Sequence, residues 1–321
     1  MKKVFIIVMV LTFTFLLINI SFCAFDNADI GARPSGMGGA FVAIADDSNA
    51  SAYNPAGLSF VKDPEASFTH LILYSGVVNY NYAGVAVPLG TFGSIGMSFG
   101  VLQEESKIYS EKNVAFSYSK SFANMFSAGA NVKMLSTGFD EKAEWVKDNP
   151  YFTKQSTSGV TVDIGLLVKP VSELGIGLVA ENLAPVNVSI SESDDEKVPM
   201  NLKFGLAYKL SAIAKNAQQP ALKEVLDTTI ISLEGSSKKE REVSTTKAKA
   251  GIEMWFAKQT VGLRAGYSMK KVEQSSNSVN LGASLRIPIS DLIMRIDYAA
   301  QILGSDLQEK LNHRISLAVS M

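Results

Sequence analysis

Asp46, Asp47 and Asn49 gather oxygen-bearing side chains between positions 46 and 49. Those residue types can hold calcium through oxygen ligands. The same carboxylates suit a guanidinium, so hydrogen bonds from Arg33 or from arginines of a barrel wall, or a solvated helix end, are the preferred readings. The glycine run Gly36-Met37-Gly38-Gly39 could be mistaken for a phosphate cradle. It lacks the following Lys-Ser/Thr and the upstream strand of a nucleotide loop, so it reads as a tight turn. His70 and His313 are the two histidines, far apart and without metal-ligand spacing. No catalysis, resident metal or cofactor is expected.

The remaining chemistry is charge at alternating positions. Lys203, Lys249, Arg264, Arg286, Arg295 and Arg314, with Asp163, Glu253 and Asp297, all fall on the polar phase of segments whose other phase is apolar. Buried charges must be paired or wet. These residues are therefore candidates for a lumen wall, and Arg264, Arg286, Arg295, Asp297 and Arg314 are singled out. Ion pairs holding an inserted segment are preferred to a substrate-selective ring.

Strands must carry such residues. Val160, Val162, Ile164, Leu166 and Val168 alternate with Gly159, Thr161, Asp163 and Gly165. Val261, Leu263, Ala265, Tyr267 and Met269 alternate with Gly262, Arg264, Gly266 and Ser268. Val279, Leu281, Ala283, Leu285 and Ile287 alternate with Asn280, Gly282, Ser284 and Arg286. The last such segment turns Leu311, His313, Ile315, Leu317 and Val319 outward. Period-two segments of this length have the form of membrane-barrel strands, lipid outside and polar lumen inside. A large soluble β-sandwich is the alternative.

The fold class expected is all-β: a transmembrane antiparallel β-barrel of about 14 strands with a short N-terminal plug. The strands fall near 66–75, 77–88, 92–102, 112–121, 125–137, 158–169, 173–181, 199–210, 225–234, 245–256, 259–270, 277–288, 291–299 and 310–320. Short periplasmic turns should alternate with longer external loops, which follow the third, fifth, seventh, ninth, eleventh and thirteenth strands. Two stretches depart from this: 211–224 is long for a periplasmic turn, and the first external loop is short. Tyr80, Tyr82, Phe116, Tyr118, Phe204, Tyr208, Tyr267 and Tyr298 are assigned outward, to the aromatic girdles at the interfaces.

Composition agrees with an exported membrane chain. Met1-Lys2-Lys3 precedes an apolar run from Val4 to about Ile20, the form of a secretory signal. Cleavage is expected before Ala24, which removes Cys23, the one cysteine; lipidation at Cys23 is the alternative. Charged residues make up 19% of the 321, below the roughly 25% of soluble domains. The net charge of -1 gives no case for nucleic acid. The division expected is 1–23 signal peptide, 24–60 plug and 61–321 outer-membrane barrel.

The stretch from Gly31 to Phe60 is too apolar for a free tail and too broken by Gly and Pro for a strand. Ser35 can cap a short helix whose Met37, Phe41 and Ile44 share a face, with Asp46-Asp47 ending it. Asn54 can form an Asx-turn, Pro55 presets φ, and Gly57 tolerates a positive one. Gly31-Ala32-Arg33-Pro34, Gly36-Met37-Gly38-Gly39-Ala40, Ala45-Asp46-Asp47 and Asn54-Pro55-Ala56-Gly57-Leu58 together resemble the N-terminal signature of the PorV/PorQ family of outer-membrane barrels. More distantly, the Asn-Pro-Ala-Gly stretch resembles the hatch of FadL long-chain fatty-acid transporters. The resemblance covers about 30 residues, beyond which only the strand pattern matches.

Three functions follow. The PorV/PorQ resemblance implies a non-enzymatic component of type IX secretion-like export and surface attachment, with outer-membrane lipid, exported protein cargo and secretion subunits as partners. The FadL resemblance implies passage of fatty acids or other hydrophobic small molecules. A structural barrel is the third. An apolar cavity beside the plug, with a gap in the wall, would mark the second.

Overall fold

The computed structural model describes residues 25, 28–123, 125–140, 143, 154–191, 195–240, 243–272, 275–304 and 311–321. The expected leader, its cleavage site and Cys23 lie outside the described residues, as does part of the 138–157 loop.

Alternation along the chain becomes a closed antiparallel barrel of 14 strands. Its first half comprises β1 (Glu65–Leu73), β2 (Val78–Pro88), β3 (Ser94–Glu104), β4 (Tyr109–Phe122), β5 (Phe126–Phe139), β6 (Ser156–Val171) and β7 (Leu174–Glu181). The small hairpin of β8 (Val186–Asn187) and β9 (Lys197–Val198) stands apart from the wall. The second half comprises β10 (Asn201–Lys209), β11 (Ile230–Glu240), β12 (Val243–Phe256), β13 (Val261–Lys271), β14 (Ser275–Ile289), β15 (Leu292–Leu303) and β16 (Leu311–Ser320). Barrel strands pair in chain order, β7 with β10 across the hairpin, and β16 closes on β1 with Glu65 opposite Ser320. Closure satisfies every strand edge, which lipid, having no hydrogen bonds to offer, demands.

Side-chain phase follows the sequence on most strands. On β13 and β14, Leu263, Tyr267, Leu281 and Leu285 face out, while Arg264, Asn280 and Ser284 are buried inside. Strand β2 is inverted relative to expectation. Tyr80 and Tyr82 point into the lumen and pack with Ile30, Leu71 and Leu73, so neither belongs to an outer girdle. Asn79 and Asn81 take the outward phase instead. Gly100 on β3 permits this, because a Cβ there would collide with the Tyr80 hydroxyl.

The N-terminal segment runs through the lumen. It holds α1 (Ala32–Gly36), α2 (Ala50–Tyr53) and a 3-10 turn over Pro55–Phe60. The expected helix beginning after Ser35 is absent: α1 starts earlier and stops at Gly36. Gly38 at φ 66° and Gly39 at φ 77° turn the chain where that helix would have continued. A Cβ on Gly38 would also strike the backbone of Tyr267 on β13. Asp46 and Asp47 therefore end no helix. Met37, Phe41, Ile44, Tyr53 and Leu58 nevertheless converge in one buried cluster. Phe41 and Tyr53 meet edge to face at 5.4 Å. Each fully buried side chain of this size contributes about 1.5–3 kcal/mol.

The two barrel ends differ. At the end where β1 begins and β16 finishes, the turns after β2, β4, β6, β12 and β14 are tight. The β10–β11 link is the exception and folds into α3 (Ser211–Ala214) and α4 (Pro220–Thr228). That helix moves the start of the ninth wall strand from the expected 225 to Ile230. At the opposite, loop end, links 140–155, 182–200 and 304–310 are long, but 105–108, 241–242 and 272–274 are short. Long loops were expected after those strands too, so the alternation of loop lengths is only partial. Described parts of 182–200 fold inward, where Val186, Val188 and Val198 bury against Leu135 of β5.

Candidate functional site

Arg33 is the centre of the contact between lumen segment and wall. α1 presents it, 5% exposed, to β12. Its Nε and Nη2 each donate to a carboxylate oxygen of Glu253 at 2.9 Å. Its Nη1 donates to Asp46 at 2.6 Å and to Asp47 at 2.9 Å. Such a fork is the strong form of charge-assisted hydrogen bonding. The guanidinium also lies 5.1 Å from the Phe41 ring centroid.

The wall continues the network. Arg264 donates through Nε to Glu253 at 2.6 Å and through Nη1 to Ser284 and Asp297. Arg295 donates to Asp297 at 2.8 Å and to Asp47 at 3.1 Å, with Glu65 3.7 Å away. Burial opposes a charge on Asp47, but Arg33 and Arg295 outweigh it and hold the carboxyl below its usual range. Asp47 also accepts from the Asn49 backbone and side chain at 3.0 Å. The Asp46 and Asp47 carboxylates are thus engaged by guanidinium groups and by Asn49, whose own side-chain oxygen is buried without a hydrogen-bond partner. Among the described residues no cluster of three His, Cys, Asp or Glu could hold a metal.

The other candidates spread around this centre. Pro34 accepts from the Met37 and Gly39 amides. Gly36 lies against Gly282 of β14, and Met37 against Gly251 of β12. Asn54 forms the Asx-turn to Ala56 at 3.1 Å and donates to Val42 and to Leu166 of β6. Pro55 opens the 3-10 turn, and Gly57 packs against Ala45. Arg286 stays outside the network: it stacks 3.9 Å from the Trp255 ring and donates to Gln259. Arg314 makes no ion pair in the described residues. It donates to the carbonyls of Ala28 and Asp29 and to Gln301.

Several anchors escaped the sequence reading. Glu234 of β11 accepts the Phe41 and Val42 amides at 3.0 and 3.1 Å. The signal was present, since Ser232, Glu234 and Ser236 alternate with Ile231 and Leu233, but a misplaced strand start hid it. Asp29 pairs with Lys249 at 2.8 Å; burial opposes its charge, and Lys249 with Lys247 overcomes that to hold its carboxyl below the usual range. Toward β1, β4 and β5 most of the contacts use hydroxyls: Ser48 with Glu65 and Ser67, Ser51 with Ser117, and Ser59 with Ser119 and Ser127. Single serines carry no recognisable spacing, so these contacts were illegible beforehand.

Two open cavities border the segment near the loop end. The larger spans about 670 Å³, including the solvent at its open side, between Tyr53, Asp29, Glu181, Lys203, Lys247 and Lys249. Charged and polar groups dominate its walls.

A closed 14-strand barrel with an apolar outer face and a lumen filled by its own N-terminal segment is an outer-membrane β-barrel. The family model of the type IX secretion system membrane protein PorP/SprF matches residues 48–317, and the chain belongs to that family. The match begins after Asp47, so most of the glycine-rich signature lies outside it. The family shown is PorP/SprF, where the sequence resemblance pointed to PorV/PorQ. Solved structures share the fold. A Pseudomonas aeruginosa FadL homologue superposes with TM-score 0.60 at 12% identity, covering 90% of this chain and 97% of that one. The Pseudomonas putida toluene transporter TodX gives 0.58 at 12%, and the Ralstonia pickettii toluene transporter TbuX 0.57 at 12%, each with the same coverage. No curated protein matches the chain.

Proposed function

We propose that this chain is a plugged, non-enzymatic docking component of a type IX secretion apparatus, its terminal end toward the periplasm and its long loops outside. The carrying observation is the way Arg33, Asp47 and Asn54 fasten the lumen segment to opposite parts of the wall. A lumen occupied in this way does not conduct a polypeptide, which leaves the rim and loops as contact surfaces for exported cargo or secretion subunits. The docking role is the one implied by the PorV/PorQ resemblance, and the PorP/SprF family supports the secretion system. Passage of hydrophobic small molecules has the FadL-like fold in its favour, but fold alone does not carry function. The larger of the two described cavities is lined mainly by lysines, carboxylates and other polar groups, the smaller about equally by apolar and polar residues, and the strand ladder is paired all the way round. The test is cross-linking from loop positions such as Asp140 and Lys197 in secreting cells, followed by mass spectrometry. Recovery of exported proteins or secretion subunits is the expected result. No protein adducts, with uptake of a fatty acid or aromatic hydrocarbon dependent on the chain, would reverse it.

A further inference from the structure

We propose that the outer face of β11–β14, just beyond the apolar band at the loop end, binds the phosphate-bearing headgroup of a membrane glycolipid. Lys239 and Lys271 are its cations. The inference rests on the barrel spanning a membrane and not on the secretion role.

Side chains on these strands alternate between lumen and exterior. Leu233 on β11, Tyr267 and Met269 on β13 and Val279 on β14 belong to the exposed apolar band. Toward the loop end the same outward phase changes character. It continues with Ser237 and Lys239 on β11, Ser244 and Thr246 on β12, Lys271 on β13 and Ser275 on β14, all exposed. Strand pairing sets them side by side: Lys239 opposite Ser244, Ser237 opposite Thr246, Thr246 opposite Lys271, and Lys271 opposite Ser275. Two strand spacings across and one two-residue step along put the lysine backbones about 12 Å apart. Two extended lysine stems can close that gap on one headgroup, with the hydroxyls of Ser244 and Thr246 between them.

The lysines of the two phases keep different company. Lys238, Lys247 and Lys270 on the inner phase are all engaged, and Lys249 pairs with Asp29. Lys239 and Lys271 make no hydrogen bond or ion pair among the described residues. Nor does any described outward position of β11–β14 carry a carboxylate. The protein therefore supplies no counter-ion on this face, and the neighbouring membrane can.

Depth selects the lipid. Lys271 follows Met269 by one outward step, about 7 Å along the strand, and Tyr267 by two. An outward tyrosine marks the margin of the apolar band. A lysine stem lies along that margin while its ammonium reaches the polar layer. The serine and threonine hydroxyls both donate and accept, which suits phosphate and sugar oxygens. The patch is thus the upper border of a surface already wetted by lipid, which favours a headgroup over a free anion.

The experiment is native mass spectrometry of the folded barrel in detergent. It is titrated with diphosphoryl lipid A, with the same lipid stripped of its phosphates, and with inorganic phosphate. Retention of the phosphorylated lipid alone is expected. Lys239→Gln and Lys271→Gln should each weaken it about fivefold, and the double variant about thirtyfold. Lys62→Gln, at an exposed lysine of the opposite end, should leave binding unchanged. Electrophoretic heat-modifiability shows that the variants are folded. Equal retention of both lipid forms, inorganic phosphate bound as tightly as the lipid, or native affinity in the folded double variant each overturns the proposal.

Discussion

Arg33 and Glu253, 220 positions apart, meet through two hydrogen bonds of 2.9 Å each. The pair joins the helix that enters the lumen to the strand that forms its far wall. Each partner is also bound on its other side, Arg33 by Asp46 and Asp47, Glu253 by Arg264. Removing one partner leaves buried charge uncompensated, which costs about 3–5 kcal/mol, whereas the intact pair is itself only weakly stabilising. Arg33→Met should therefore loosen the segment while the barrel stays folded. Single-channel conductance in planar bilayers should rise and protease should cut near Asp47. Arg33→Lys keeps the charge without the fork and should fall between. Native conductance and protection in Arg33→Met would show that the pair does not hold the segment.

Asp47 gives the attachment an acid limit. Its carboxyl is held below the usual range in the folded chain, first against burial, then by Arg33 and Arg295. A lowered folded pKa means the stabilisation is complete above the unfolded value, about 3.9, and is lost as pH falls through the folded value. Conductance should stay low down to about pH 4 and rise reversibly below it. Asp47→Asn should raise conductance at neutral pH and flatten that response. Conductance unchanged at about pH 2, with the barrel still folded, would contradict this.

The two faces of β11 should differ in their tolerance of charge. Leu233 faces out at 54% exposure, while Ser236 borders the open cavity inside. Leu233→Arg should cost about 2–4 kcal/mol near the bilayer midplane, and Ser236→Arg roughly 1 kcal/mol or less. Folding titrations into lipid vesicles measure both. Ser284 is a poor lumen control, because it sits between Arg264 and Asp297 with no room for another guanidinium. Equal losses at Leu233 and Ser236 would mean the inward and outward phases are misassigned.

Most of the wall was legible because its signal is local. Val160 through Val168 or Val261 through Met269 each declare two faces within one strand. Tyr80 and Tyr82 were misread because a tyrosine suits both an interface and a packed lumen, and the outward Asn79 and Asn81 removed the contrast that fixes the phase. Residues 220–228 were taken partly into a strand because Leu222, Val225 and Leu226 are apolar; their spacing suits the helix they form. The lumen segment as a compact unit was legible from its turns, and Arg33, Asp46 and Asp47 from their charge. Arg33 was among the partners expected for Asp46 and Asp47, and it meets both, but the particular wall partners were not legible. Whether Arg295 or Arg286 meets Asp47 depends on barrel shear and on the turn at Gly38-Gly39, neither of which is a local property.

Deleting Arg33 to Ser51 tests the segment as a whole. The wall keeps its own counter-charges: Arg264 retains Glu253 at 2.6 Å, Arg295 retains Asp297 at 2.8 Å, and Lys203 retains Glu181 at 2.5 Å. The departing piece likewise carries Arg33 away with Asp46 and Asp47. Both parts can separate without stranding a lone charge, so the barrel should still insert and remain heat-modifiable. Its lumen loses the buried Met37, Phe41 and Ile44, and water should replace them. Conductance should therefore rise well above that of Arg33→Met, in which the segment is only loosened. Secretion measured in the same cells separates the functional readings: loss of small-molecule uptake with export intact would favour a FadL-like transporter. Export that survives deletion but fails when the 182–200 loop is removed would place docking on the outer loops. Conductance equal to that of the full chain, together with ready proteolysis near Asp47 before deletion, would show that the segment does not close the lumen at all.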